Sequence, residues 1–170
     1  MPKVDEGKVT SRGEHPQLPN PDSAVSVVPS QQGAVLAFDF GEKRIGVAVG
    51  ESELALAHPL TTIVGEQARG RFDAIARLIE IWRPRLLVVG LPVHMDGTEH
   101  VLTARARRFG RQLEGRFNLP IAMIDERLST REAVFMLQAA GVPAKSQKSV
   151  RDQVAAQTIL QDYFEQHAHS

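Results

Sequence analysis

The chain has 170 residues, 20 basic and 20 acidic side chains, 42% hydrophobic and 24% charged residues, and no cysteine. That length suits one domain with a sizeable core; balanced charge confines any nucleic-acid affinity to local patches; and the lack of cysteine excludes disulfides and thiolate metal sites, leaving oxygen or imidazole ligands. No apolar run approaches the ~20 residues of a membrane span and no secretion signal is read at the start, so a cytoplasmic protein is expected.

In chain order, residues 1–33 are poor in large apolar side chains and carry Pro16, Pro19, Pro21 and Pro29, a composition that cannot bury enough surface to fold alone. They are expected to form a flexible extension before a domain over 34–165, with 166–170 as a short tail. Val35–Phe40 and Arg44–Val49 read as two strands of a hairpin, with Gly41 supplying unusual turn dihedrals. Asp39 interrupts the first strand between Phe38 and Phe40. A carboxylate there must be compensated by backbone N–H groups of the turn, by Lys43 or Arg44, or by a metal ion.

Ala55 to Val64 reads as a third strand, and Gly70 to Trp82 as a helix with Phe72, Ile75, Ala76, Ile79 and Trp82 on its core face, stopped by Pro84. Arg85 to Leu91 is apolar on both faces, as in a central parallel strand, and Gly90-Leu-Pro92 is expected to end it. A polar loop, in which Asp96 before Gly97 reads as a turn residue and His94 and His100 as turn and surface residues, leads to a helix from Thr98 to about Arg116. Its core stripe is Leu102, Ala106, Phe109 and Leu113. Ile121 to Ile124 is the fifth strand, ending at Asp125-Glu126. Ser129 to Glu132 fits a capping box for a further helix closed by Gly141 and Pro143, and Ser149 to Phe164 is the last helix.

Strands joined through helices imply right-handed parallel crossovers, hence an α/β fold with a mixed five-stranded sheet and the first strand central. Ligands of such sheets gather at the carboxyl ends of parallel strands. Those ends carry Asp39 and Asp125-Glu126. In the last helix Asp152 shares a face with Ala155, Ala156, Ile159 and Tyr163, although its place three residues after Ser149 also fits a capping box. Together Asp39, Glu126 (or Asp125) and Asp152 form an oxygen-only donor set suited to Mg²⁺ or Mn²⁺, and two such ions would serve in-line phosphoryl displacement. Neighbours on a strand face opposite ways, so only one of Asp125 and Glu126 is expected to join, and we choose Glu126. Arg105, Arg108 and Arg111 line one side of the middle helix outside its apolar stripe. With Lys43, Arg44 and Lys148 they are candidate phosphate contacts, and the helix is expected to set its arginines beside the acids.

Four blocks then carry a family resemblance. Asp39-Phe-Gly-Glu-Lys-Arg-Ile-Gly-Val-Ala48, Val89-Gly-Leu-Pro-Val-His-Met-Asp-Gly-Thr98, Asp125-Glu-Arg-Leu-Ser-Thr130 and Asp152-Gln-Val-Ala-Ala156 resemble, in order and spacing, the signature blocks of the YqgF/RuvX family of RNase H-like nucleases, kin to the RuvC junction resolvases. The resemblance implies an RNase H-like sheet in the order 3-2-1-4-5 with the second strand antiparallel. It also implies a metal-dependent nuclease acting in 5′-end maturation of pre-16S rRNA or on four-way DNA junctions, with the acids at Asp39, Asp125-Glu126 and Asp152. His94 and Ser149 depart from the residues usual at their places. Symmetric cutting of a junction would call for a homodimer. Two other functions compete: a non-catalytic RNA-binding or transcription-associated module on a nuclease fold, and an actin-like ATP-binding protein, which would need a second domain that 170 residues do not provide.

Overall fold

The computed structural model describes residues 33–127 and 147–168. The extension, the capping box at Ser129 and the helix expected to end at Gly141 lie outside the described residues. Five strands form one sheet in the order β3-β2-β1-β4-β5. They are β1 (Ala34–Asp39), β2 (Arg44–Glu51), β3 (Leu56–Val64), β4 (Leu86–Val93) and β5 (Ile121–Arg127). β2 is antiparallel to both β1 and β3, whereas β4 is parallel to both β1 and β5. This is the RNase H-like order that the resemblance implied.

Strand alternation sorts the core into two layers. Leu36 and Phe38 of β1 pack with Leu87, Val89 and Leu91 of β4 against Phe72 and Ile75 of α1 (Ala68–Trp82) and Ala106, Phe109 and Leu113 of α2 (Val101–Phe117). Val35 and Ala37 face the other way, with Val88 and Ile124, onto Ala156, Ile159, Leu160 and Phe164 of α3 (Gln147–His167). Each large side chain so buried contributes about 1.5–3 kcal/mol, which is why β1 and β4 are apolar on both faces.

Two glycines let α3 lie close to the sheet. A Cβ at Gly46 would stand 1.9 Å from the Asp152 carbonyl oxygen, and one at Gly50 would stand 2.8 Å from the Phe164 ring. The helix therefore runs along β2, with Asp152 at the end where β1 finishes. Side-chain amides fix its rotation: Gln157 donates to the Ala57 carbonyl at 3.0 Å and Gln161 accepts from the Ala57 amide at 3.1 Å.

The structure corrects several expectations. Gly41 does not have a positive φ; glycine is required there because a Cβ would lie 2.5 Å from the Arg44 carbonyl oxygen. β4 does not end at Gly90 but runs through Pro92 to Val93, paired with β5. The Leu87 amide points to the β5 side, where it donates to Pro120, so by alternation the missing N–H of Pro92 falls on the β1 side. β1 pairing ends at Val89, so no ladder bond is lost there. β5 likewise continues through Asp125, Glu126 and Arg127. α2 begins at Val101, not Thr98, because His100 caps it: His100 Nδ1 accepts from the Leu102 amide at 3.0 Å. Trp82 and Ala76 are not core; Trp82 is 39% exposed at the end of α1.

Candidate active site

β1 delivers Asp39 to the carboxyl end of the sheet, where it pairs with Gly46 of β2 and is 6% exposed. By alternation Asp39 shares the face of Val35 and Ala37, the α3 face. In β5 the burial pattern decides between the two neighbouring acids. Glu126 lies on the face of Ile124 and is 2% exposed, while Asp125 lies on the opposite face and is exposed. Asp152 reaches the same end from α3, since its backbone covers Gly46, the partner of Asp39. Sheet register and helix approach thus place Asp39, Glu126 and Asp152 on one face at one end.

Asp152 is held by a cation. Arg44 Nε donates to Asp152 Oδ2 at 2.7 Å, with both side chains partly shielded. Arg44, a candidate phosphate contact, is thus engaged beside the acids. The donor set, carboxylates without thiol or imidazole, fits a hard divalent cation. As the side chains stand, no group of three such ligands among the described residues is drawn together around one point, so a bound ion would have to draw the carboxylates inward.

The middle-helix arginines lie elsewhere than expected. Arg105 and Arg108 line a cleft on the α1/α2 face, around the end of β1 from Asp39, with Phe40 and Arg71. Arg105 pairs with Glu42 of the hairpin, and Arg107 with Glu99. Arg111, Lys43 and Lys148 are exposed. The 94–100 loop is built as a turn: Asp96 Oδ1 accepts from the Thr98 amide at 2.9 Å and from its hydroxyl at 2.7 Å, ahead of Gly97 at φ 87°. Those bonds, the hydroxyl's first, hold the Asp96 carboxyl below the usual aspartate range.

Sequence reasoning missed Arg71. Arg71 is 9% exposed, and its guanidinium donates to the carbonyls of Glu42 (3.0 Å) and Gly41. Burial lowers its pKa. A signal was present: a cation in the first turn of a helix opposes the macrodipole, so it needs a reason to be there.

The family model described as "RuvX: Holliday junction resolvase" matches residues 33–166. The chain belongs to the RuvX family. A relative from Methylobacillus flagellatus is 60% identical over 136 residues, covering 80% of this chain and 93% of its own, and bears the name "Putative pre-16S rRNA nuclease". A relative of the same name from Neisseria meningitidis is 57% identical over 134 residues, covering 79% of this RuvX chain and 89% of its own. Among solved structures, Thermus thermophilus RuvC in complex with a Holliday junction substrate aligns at a TM-score of 0.48 and 18% identity, covering 79% of this chain and 96% of its own. That likeness is too distant to transfer contacts. No helix among the described residues is long and apolar enough to cross a membrane.

Proposed function

We propose that this RuvX protein is a cytoplasmic, metal-dependent nuclease that hydrolyses phosphodiester bonds of structured nucleic acid, with the 5′ end of pre-16S rRNA as its substrate. The observation that carries the reading is the burial of Asp39 and Glu126 on the same face and at the same sheet end as Asp152. Ionisable groups buried together at the carboxyl ends of parallel strands are placed where such folds do their chemistry. The names of the relatives support RNA as the substrate, and the family description keeps junction DNA as the second candidate.

Mg²⁺ or Mn²⁺ held by Asp39, Glu126 and Asp152 would supply Lewis-acid stabilisation of charge on the scissile phosphate. The chain does the rest. The sheet fixes Asp39 on β1 and Glu126 on β5, with β4 between them, and Arg44 holds the Asp152 carboxylate in orientation. The closely laid α3 shields that end of the sheet from bulk water.

The test is cleavage of a pre-16S 5′-end RNA and of a four-way DNA junction, with Mg²⁺ and with chelator. Asp39→Asn and Glu126→Gln are expected to lower the rate at least about 10²-fold with the fold intact, whereas Asp125→Asn retains most activity. Near wild-type cleavage by Asp39→Asn, or equal cleavage in chelator, would refute the assignment. Faster cutting of the junction than of the RNA would reverse the substrate order.

A further inference from the structure

The cleft on the α1/α2 face has a volume of about 220 Å³. It begins at Phe40, the residue just beyond Asp39 at the end of β1, on the other side of the strand, and its walls are aromatic and cationic. Phe40, Phe72 and Phe109 form the apolar part; Arg71, Arg105 and Arg108 form the charged part. Phe72 and Phe109 are buried, so Phe40, only partly buried, is the ring with surface left to offer.

Arg71 carries the argument. It is nine-tenths buried, its Nε has no hydrogen-bond partner, and among the described residues no carboxylate pairs with it. Its two amino groups spend themselves on backbone carbonyls, and its guanidinium lies 5.1 Å from the Phe40 ring centroid. Removing one partner from a buried guanidinium is costly, so an anion in this cleft meets a charge that the protein itself has left uncompensated. Two further features favour an anion. Ala68, the first residue of α1, lines the cleft, and that helix starts without a side-chain cap. Arg105 is held only by Glu42, both about half exposed, an ion pair weak enough for a phosphate to replace.

We infer that this cleft binds one unstacked nucleotide, its base against Phe40 and its phosphate against Arg105, Arg108 and Arg71. Single-stranded nucleic acid is recognised by such aromatic and guanidinium surfaces. The volume is below the ~300–1,000 Å³ of pockets that take larger ligands, so the cleft takes at most one nucleotide. Glu66 and Gln112 also line the cleft. An exposed acid there repels phosphate and accepts from base amino groups, which orients the base toward Glu66. A strand cut at the acids would round the end of β1 and lay a neighbouring nucleotide in the cleft. The role as a substrate subsite therefore rests on the nuclease reading, whereas nucleotide binding itself does not.

The test uses full-length Asp39→Asn protein, so that binding is read without turnover. AMP, adenosine and inorganic phosphate are titrated by calorimetry. Duplex RNAs, blunt or with a single-stranded end bearing 2-aminopurine, are followed by fluorescence. AMP is expected to bind at least tenfold more tightly than adenosine or phosphate. The single-stranded end should raise duplex affinity about tenfold. Arg108→Gln and Phe40→Leu, each checked by thermal melting, should remove both gains, and Phe40→Leu should leave blunt-duplex affinity within twofold. AMP binding with no preference for the single-stranded end also supports the cleft, and identifies a free mononucleotide as its ligand. No saturable AMP binding together with equal duplex affinities would overturn the proposal, whatever the wild-type cleavage assay reports. AMP binding together with a wild-type protein that cuts neither RNA nor junction would overturn the nuclease reading alone.

Discussion

Replacing Gly46 by alanine probes how α3 is fixed over the site. The added Cβ would stand 1.9 Å from the carbonyl oxygen of Asp152, 2.3 Å from its carbonyl carbon and 3.0 Å from its Cα. All three atoms are backbone, so no rotamer change relieves the clash, and the helix must retreat about 1.5 Å to regain contact near 3.4 Å. Overpacking of this kind costs about 1–3 kcal/mol, and backbone against backbone belongs at the upper end. At roughly 4 °C per kcal/mol for a domain of this size, the melting temperature should fall by about 10 °C. Displacement of Asp152 by more than 1 Å should also lower cleavage about 10²-fold. Gly90→Ala is the control on the same face: its Cβ would meet Ile159 Cδ1 at 2.3 Å, the tip of a flexible side chain. It should cost about 1 kcal/mol and be eased in part by Ile159→Val, which deletes that methyl group and leaves Cγ1 at 2.8 Å. Melting by circular dichroism and single-turnover cleavage read the two effects separately. Gly46→Ala melting within about 2 °C of wild type would refute the inferred closeness of α3 to β2.

Other outcomes follow from the same geometry. The triple variant Arg105→Gln, Arg108→Gln, Arg111→Gln should bind every nucleic acid more weakly and flatten the salt dependence by roughly one unit of slope per lost phosphate contact; unchanged affinity and slope would make that face merely solvated. Thr103 is fully buried, its hydroxyl accepting from the His100 amide at 2.8 Å and donating to the Pro92 carbonyl. Thr103→Val should cost about 1–3 kcal/mol, seen as a lower denaturation midpoint at constant m-value. The depressed Asp96 carboxyl contributes stability above its unfolded pKa, lost as pH falls through the lower folded value. Carboxyl NMR should place its midpoint below the ordinary ~3.9, and Thr98→Val should raise it.

Much of this protein was legible in sequence because it rests on local periodicity. Apolar runs on both faces of Val35–Phe38 and Leu86–Val89, and helical spacing in Ala106, Phe109 and Leu113, are set by the twofold and 3.6-fold repeats of strand and helix. With crossover handedness, they imply a mixed sheet with the first strand central and bring Asp39 and Asp125-Glu126 to one edge; the full strand order followed from the family resemblance. Alternation also made Asp125 and Glu126 face opposite ways. Four spaced motifs sufficed for the family.

What only the tertiary structure decided depends on contacts between residues far apart in the chain. Pro92 looked like a strand terminator because a missing N–H matters only if a neighbour waits for it, and β1 has already ended there. Trp82 repeats at the core spacing, yet as the last residue of α1 it stays 39% exposed. Arg44 and Asp152 are 108 residues apart and meet because Gly46 admits the helix backbone. The arginines of α2 have the same spacing whichever face of the sheet the helix covers. Packing put them across the end of β1 from the acids, beside the buried Arg71, whose environment no local pattern specifies.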